Sequence, residues 1–168
     1  MLYFVTPAFR RYELTAVCLE QRRRAMDALD ERGVEARCVV IADDKNVEAA
    51  RKLGFDVLRR PNYALARRFN DGFQYAAGKG AEWIVPIGSD SFLDPSYLFP
   101  LPEPDKIRSS ALYAVAEPNR LGRLRIEADP GVGPYMIHRS LLPPNGRPAK
   151  DWRKRGVDTS TIRGLRGR

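Results

Sequence analysis

The chain has 168 residues, with 29 Lys+Arg against 21 Asp+Glu for a formal charge of +8, and 43% of its residues are hydrophobic. A chain of this size buries roughly 70% of the surface its unfolded form exposes, so it holds a core without disulfides or a structural metal, and disordered, collagenous and miniprotein classes are excluded. No apolar run approaches the roughly 20 residues of a membrane span, and the N-terminal apolar stretch meets Arg10 and Arg11 too soon for a secretory signal, which predicts a cytoplasmic protein.

Residues 2 to 6 (LYFVT) form an apolar run closed by Pro7, the pattern of a buried strand ending in a loop. From Glu13 to Arg32, Leu14, Val17, Cys18, Ala25 and Leu29 fall on one face at helical spacing, with Arg22, Arg23 and Arg24 mostly off it, so an amphipathic helix stopped by Gly33 is predicted. Residues 36 to 42 (ARCVVIA) read as a second buried strand that breaks off at Asp43 and Asp44. A short helix over 46 to 53 ends at Gly54, a strand follows over 55 to 59, and a helix over 64 to 77 closes at Gly78 and Gly80. A fourth strand, 82 to 87 (EWIVPI), runs into GSDSFLDP at 88 to 95.

This alternation predicts an α/β fold: a doubly wound, mostly parallel sheet in an α/β/α sandwich. In such sheets ligands bind beyond the carboxyl ends of the strands, where Thr6, Asp43, Asp44, Ser89 and Asp90 fall. The second half is less regular. A strand is expected over 111 to 116, a hairpin turning near 121 to 123 and returning along 124 to 128, then a Gly-Pro turn and a short apolar strand within 131 to 144.

Cys18 and Cys38 have no metal-ligand spacing and each sits in an apolar pattern, which predicts buried reduced thiols. The single histidine, His138, cannot by itself build a zinc site or a histidine-based triad, so the chemistry must rest on carboxylates, basic side chains and backbone. Residues 147 to 168 carry eight basic and two acidic residues, so most of the excess charge lies in a C-terminal tail. That tail reads either as a solvated segment or as an electrostatic contact for nucleic acid, phosphate or an acidic partner.

Four stations together resemble the GT-A glycosyltransferases of the large family-two type, which use nucleotide sugars: VTPAFRR (5 to 11), IADD (41 to 44), ARRFNDG (66 to 72) and IGSDSFLDP (87 to 95). The resemblance implies one GT-A-like domain over 1 to 146, with a nucleotide-binding half (1 to 99), an acceptor half (100 to 146) and the basic tail beyond. It implies transfer of a sugar from a nucleotide-diphosphate sugar, a UDP-sugar favoured, to a protein, glycan or nucleic-acid acceptor, metal-assisted and inverting. The compact size suggests a bacterial or bacteriophage enzyme, the latter acting in the host cytoplasm.

Carried over residue by residue, Thr6 and Pro7 shape the loop under the base, and Asp43 or Asp44 accepts hydrogen bonds from the ribose or base. The alternative for Asp44 is capping of the following helix. Arg10, Arg67 and Arg68 are candidates to clamp the diphosphate, with Asn70 and Gly72 matching the family pattern in the third helix; Arg11 shares the position of Arg10, and ordinary surface charge is the competing view.

The family's Asp-x-Asp metal motif reads Gly88-Ser89-Asp90 here. The resemblance therefore leaves Asp90, beside Ser89, as the ligand of Mn²⁺ or Mg²⁺, with Asp94 either supplementing it or forming a turn. The acceptor-side base corresponds to Asp158, with Asp151 in reserve; an N-cap role competes for Asp158. Gly133 and His138 lie on the stretch matching the acceptor strand, His138 being either a substrate or metal contact or structural, and Trp152 either stacks on a sugar or anchors the tail.

Two other function classes stay open. One is a noncatalytic nucleotide or nucleotide-sugar binding domain, in which Gly88 marks lost metal chemistry; the other is a protein that binds nucleic acid or an acidic partner through its tail. A nucleotidyltransferase shares the layout, but no glycine-rich phosphate loop followed by lysine stands near the first strand.

Overall fold

A computed structural model describes residues 1–98 and 135–147, together with short strand segments at 108–109, 113–115 and 125–127. In chain order the elements are β1 (Leu2–Pro7), α1 (Tyr12–Asp30), β2 (Ala36–Ala42), α2 (Asn46–Lys52), β3 (Asp56–Arg59), α3 (Leu65–Gly78) and β4 (Trp83–Pro86). A 3-10 turn (Pro95–Leu98), β5 (Arg108–Ser109), β6 (Tyr113–Val115), β7 (Arg125–Glu127), β8 (Tyr135–His138) and a second 3-10 turn (Arg139–Leu141) follow.

The main sheet has six strands in the order β3-β2-β1-β4-β8-β5. Its first four strands are parallel, and β8 and β5 add antiparallel pairings. Strands β6 and β7 pair with each other as a separate antiparallel ribbon, the hairpin expected from the sequence. Successive residues of β1 point to opposite faces, so Leu2 and Phe4 join one apolar cluster with Leu19, Met26 and Leu29 of α1, while Tyr3 and Val5 join another with Phe69, Phe73 and Ala76 of α3. Helices therefore cover both faces, which is why β1, β2 and β4 read as continuous apolar runs rather than alternating ones.

The winding locates the site. From β1 the chain steps outward through β2 to β3, then crosses the opposite face in α3 and returns to the other side of β1 as β4. The strand order thus reverses between β1 and β4, and a crevice opens there at the carboxyl ends of the strands.

Gly72 fixes how closely α3 approaches. A Cβ at this position would lie 2.2 Å from Val5 Cγ1 and 2.9 Å from Ile41 Cδ1, so only glycine lets the helix backbone settle on β1 and β2.

Helix α1 buries Cys18, Ala25 and Leu29 of the expected face, but the stripe is rotated toward Thr15, Leu19, Arg22 and Met26. Thr15, Cys18, Leu19, Arg22, Ala25, Met26 and Leu29 face inward, whereas Val17 is 53% exposed. Arg22, expected off the apolar face, is wholly buried because its guanidinium passes beneath the end of β1 and finds oxygen partners there. Cys18 and Cys38 are both buried and unpaired with each other, and burial pushes each thiol up to about 11. No described helix is long and apolar enough to cross a membrane.

Candidate functional site

The loop leaving β1 is held in an unusual shape. Arg10 and Arg11 both adopt left-handed backbone, with φ of 53° and 46°, a conformation that costs a side-chain-bearing residue roughly 1–2 kcal/mol. Contacts from the β2 end fix it: Arg10 N–H donates to Asp44 Oδ2 at 2.8 Å, and Asn46 Nδ2 donates to the Arg10 carbonyl at 3.2 Å. The other Asp44 oxygen accepts from Asn46 N–H at 3.0 Å, so this carboxylate serves the backbone on both sides, while Asp43 beside it is exposed.

With the loop so fixed, the Arg11 guanidinium reaches across the switch point to Asp90, on the loop after β4, and the two form an ion pair. That loop is tied to α1 from below. Arg22 Nη2 donates to the Ser91 carbonyl at 3.0 Å, its Nη1 to Thr6 Oγ1 at 2.5 Å, and Gln21 Nε2 to the Leu93 carbonyl at 2.5 Å. Arg22 has no ion-pair partner among the described residues and its Nε has no hydrogen bond, so desolvation lowers its pKa from the ordinary value. From the opposite face, Arg68 of α3 is buried and donates to the Ala8 carbonyl at 3.2 Å, with Asp43 and Asp44 near enough to offset part of its desolvation. A cleft of about 430 Å³ opens beside Arg11, lined by Arg11, Tyr12, Glu13 and Leu14.

The fold thus gathers Thr6, Pro7, Arg10, Asp43, Asp44, Arg68, Ser89 and Asp90 at the carboxyl edge of the sheet, and adds Arg11, Arg22 and Asn46. Thr6 is fully buried and engaged by Arg22, Arg67 turns outward over the Tyr63 ring at 5.0 Å, and Asn70 is buried in α3. The spacing of Arg22 carried a signal: it stands four residues after Cys18 and four before Met26, on the stripe that α1 buries.

Antiparallel pairing sets His138 opposite Trp83, the first residue of β4, so it lies at the other end of that strand from Asp90. There its Nδ1 lies 2.7 Å from Ser140 Oγ and its ring packs edge-on against Trp83 at 4.9 Å, contacts of the kind the structural alternative calls for. Gly133, Asp151, Trp152 and Asp158 lie outside the described residues. Arg147, the last described residue, pairs with Asp71 of α3 at 3.6 Å, one turn below Arg68.

Asp90, expected to hold Mn²⁺ or Mg²⁺, is paired with Arg11, Asp94 accepts from Ser96 N–H at 2.9 Å, and no group of three His, Cys, Asp or Glu converges among the described residues. A Cβ at residue 88 would lie 2.7 Å from Asp90 Oδ1, so a side chain there requires the Asp90 carboxylate to shift from the position in which it meets Arg11.

The sequence matches no protein-family model and no curated protein. Its fold is that of the GT-A nucleotide-diphospho-sugar transferases. A mutant of the Drosophila β-1,4-galactosyltransferase 7, in complex with manganese, UDP-Gal and xylobiose, superposes with a TM-score of 0.50 at 16% identity, over 83% of this chain and 49% of that one. A glycosyltransferase involved in glycosylation of the major capsid of PBCV-1 gives 0.43 at 13% identity, over 83% of this chain and 60% of the other. CMP:2-keto-3-deoxy-manno-octonic acid synthetase complexed with CTP gives 0.46 at 14%, over 83% and 74%. The chain spans about half the length of the first of these and 60% of the second.

Proposed function

We propose that the protein is a glycosyltransferase taking its sugar from a nucleotide-diphosphate sugar. The observation that carries this reading is the placement of the Arg11–Asp90 pair and of Arg68 beside Asp43 at the carboxyl edge of the sheet, in a layout whose ligands bind at that edge. Asp43 is the free carboxylate for a ribose diol or base amide, because Asp44 is engaged by two backbone N–H groups. The guanidinium groups stabilise the departing diphosphate, and a uridine donor is the favoured case.

In the transfer the acceptor hydroxyl attacks the anomeric carbon, its proton passes to a carboxylate base, and the bond to the diphosphate breaks with its electron pair leaving on the nucleotide. We assign the base to Asp158, with Asp151 as the reserve, and acceptor contacts to Gly133 and Trp152; inversion follows from this single displacement.

Gly88 favours a second reading, a nucleotide-sugar binding domain without turnover. Incubation with UDP-, GDP-, dTDP- and CMP-linked sugars, followed by chromatography of the released nucleotide, separates the two. Release from one donor, lost in Asp158→Ala, is expected. Binding without release supports the second reading, and pyrophosphate release from a nucleoside triphosphate would make the protein a nucleotidyltransferase.

A further inference from the structure

Two guanidinium groups from the β1–α1 segment lie at the switch point. Arg11, whose side chain is 60% exposed, lies over the crevice, and Arg22, 1% exposed, lies beneath it between Thr6 and the Ser91 carbonyl. Asp90 offsets them from the β4 side through a surface pair with Arg11, and the residue before it, Arg10, is held by Asp44 and Asn46. Arg22 keeps an unneutralised charge among the described residues. A dication at Asp90 would compete with Arg11 for the carboxylate and sit above that buried positive charge, which repels it. A diphosphate meets the opposite field.

We propose, resting on the donor-site reading above, that the donor diphosphate is neutralised by guanidinium groups rather than by a divalent cation. Arg11 is the group that takes its oxygens, and Asp90 holds Arg11 in place until the donor arrives. A guanidinium fork matches two phosphate oxygens as it matches a carboxylate, so the exchange from Asp90 to diphosphate leaves no donor unpartnered. Arg22 contributes through its field and touches no ligand. Gly88 fits this arrangement, because an acidic side chain there would collide with Asp90 and recreate a carboxylate pair competing for Arg11.

The test is thermal stabilisation by UDP, GDP, dTDP and CDP, each in EDTA and in excess Mn²⁺, on the full chain and on Arg11→Ala, Arg11→Lys and Asp90→Asn. One nucleoside diphosphate is expected to stabilise the parent equally in both buffers. Arg11→Ala should weaken its binding roughly tenfold to a hundredfold, and Arg11→Lys, which keeps the charge without the fork, by less. Asp90→Asn should bind at least as tightly in EDTA, because the competing carboxylate is gone. Melting temperatures of the unliganded variants separate lost binding from lost folding. Stabilisation that requires Mn²⁺ and disappears in Asp90→Asn overturns this inference and leaves the donor-site reading standing; silence with all four nucleotides in both buffers overturns both.

Discussion

Arg22 carries a charge that burial makes costly. Its guanidinium hydrogen-bonds Thr6 and Ser91, but it has no carboxylate partner among the described residues and one orphaned N–H. Replacing such a group by an apolar side chain of similar length removes the desolvation penalty, and buried charges exchanged in this way often leave stability unchanged or higher. Arg22→Met is therefore expected to keep or raise the melting temperature while weakening nucleoside diphosphate binding. A steep loss of stability would show instead that the Ser91 tether, not the charge, is what Arg22 supplies. Its helical spacing from Cys18 and Met26 places the residue on the buried stripe, but nothing local says that a guanidinium will find its acceptors inside. The same holds for Arg11 and Asp90, 79 positions apart, whose pairing depends on two strands becoming neighbours.

At the scale of elements, β1 to β4 and α1 to α3 fall within one or two residues of where hydrophobic runs, glycines and prolines put them. Helix α1 shows where that legibility stops. Its expected face held Leu14, Val17, Cys18, Ala25 and Leu29, of which the last three are buried, and the stripe is rotated toward Thr15, Leu19, Arg22 and Met26, since a helix's rotation about its axis is settled by what it packs against. In α3, Gly72 sets the distance to the sheet, and a single methyl there meets Val5 and Ile41. Overpacking of this kind costs roughly 1–3 kcal/mol, so Gly72→Ala should lower the melting temperature by about 3–10 °C. Gly78→Ala, where a Cβ meets nothing within 4 Å, is the control and should not destabilise. Equal effects of the two would place the glycine requirement in the backbone rather than in packing.

The whole molecule carries a pH dependence in its core. Burial raises Cys18 and Cys38 from 9.0 to about 11, so the unfolded chain loses these protons first. Their contribution to stability is complete below pH about 9 and is lost as pH rises toward 11, with Tyr3, also raised, adding in the same direction. Denaturant midpoints should fall between pH about 8 and about 10.5, and the fall should be smaller in a Cys18→Ala, Cys38→Ala double variant. A midpoint flat across that range would mean that the thiols are open to water in the folded chain.

The apolar runs, their punctuation and the helical spacing of α3 are local properties, and from them the sequence by itself determined the α/β layering, the order of elements and the edge of the sheet at which the strand-end residues gather. Only the tertiary structure decided the contents of that edge. Strand order brought Arg11 to Asp90, antiparallel pairing carried His138 to the opposite end of β4, and the rotation of α1 put Arg22 beneath Thr6. Each is a contact between chain segments far apart in sequence, and no local pattern records the partner that a side chain will meet.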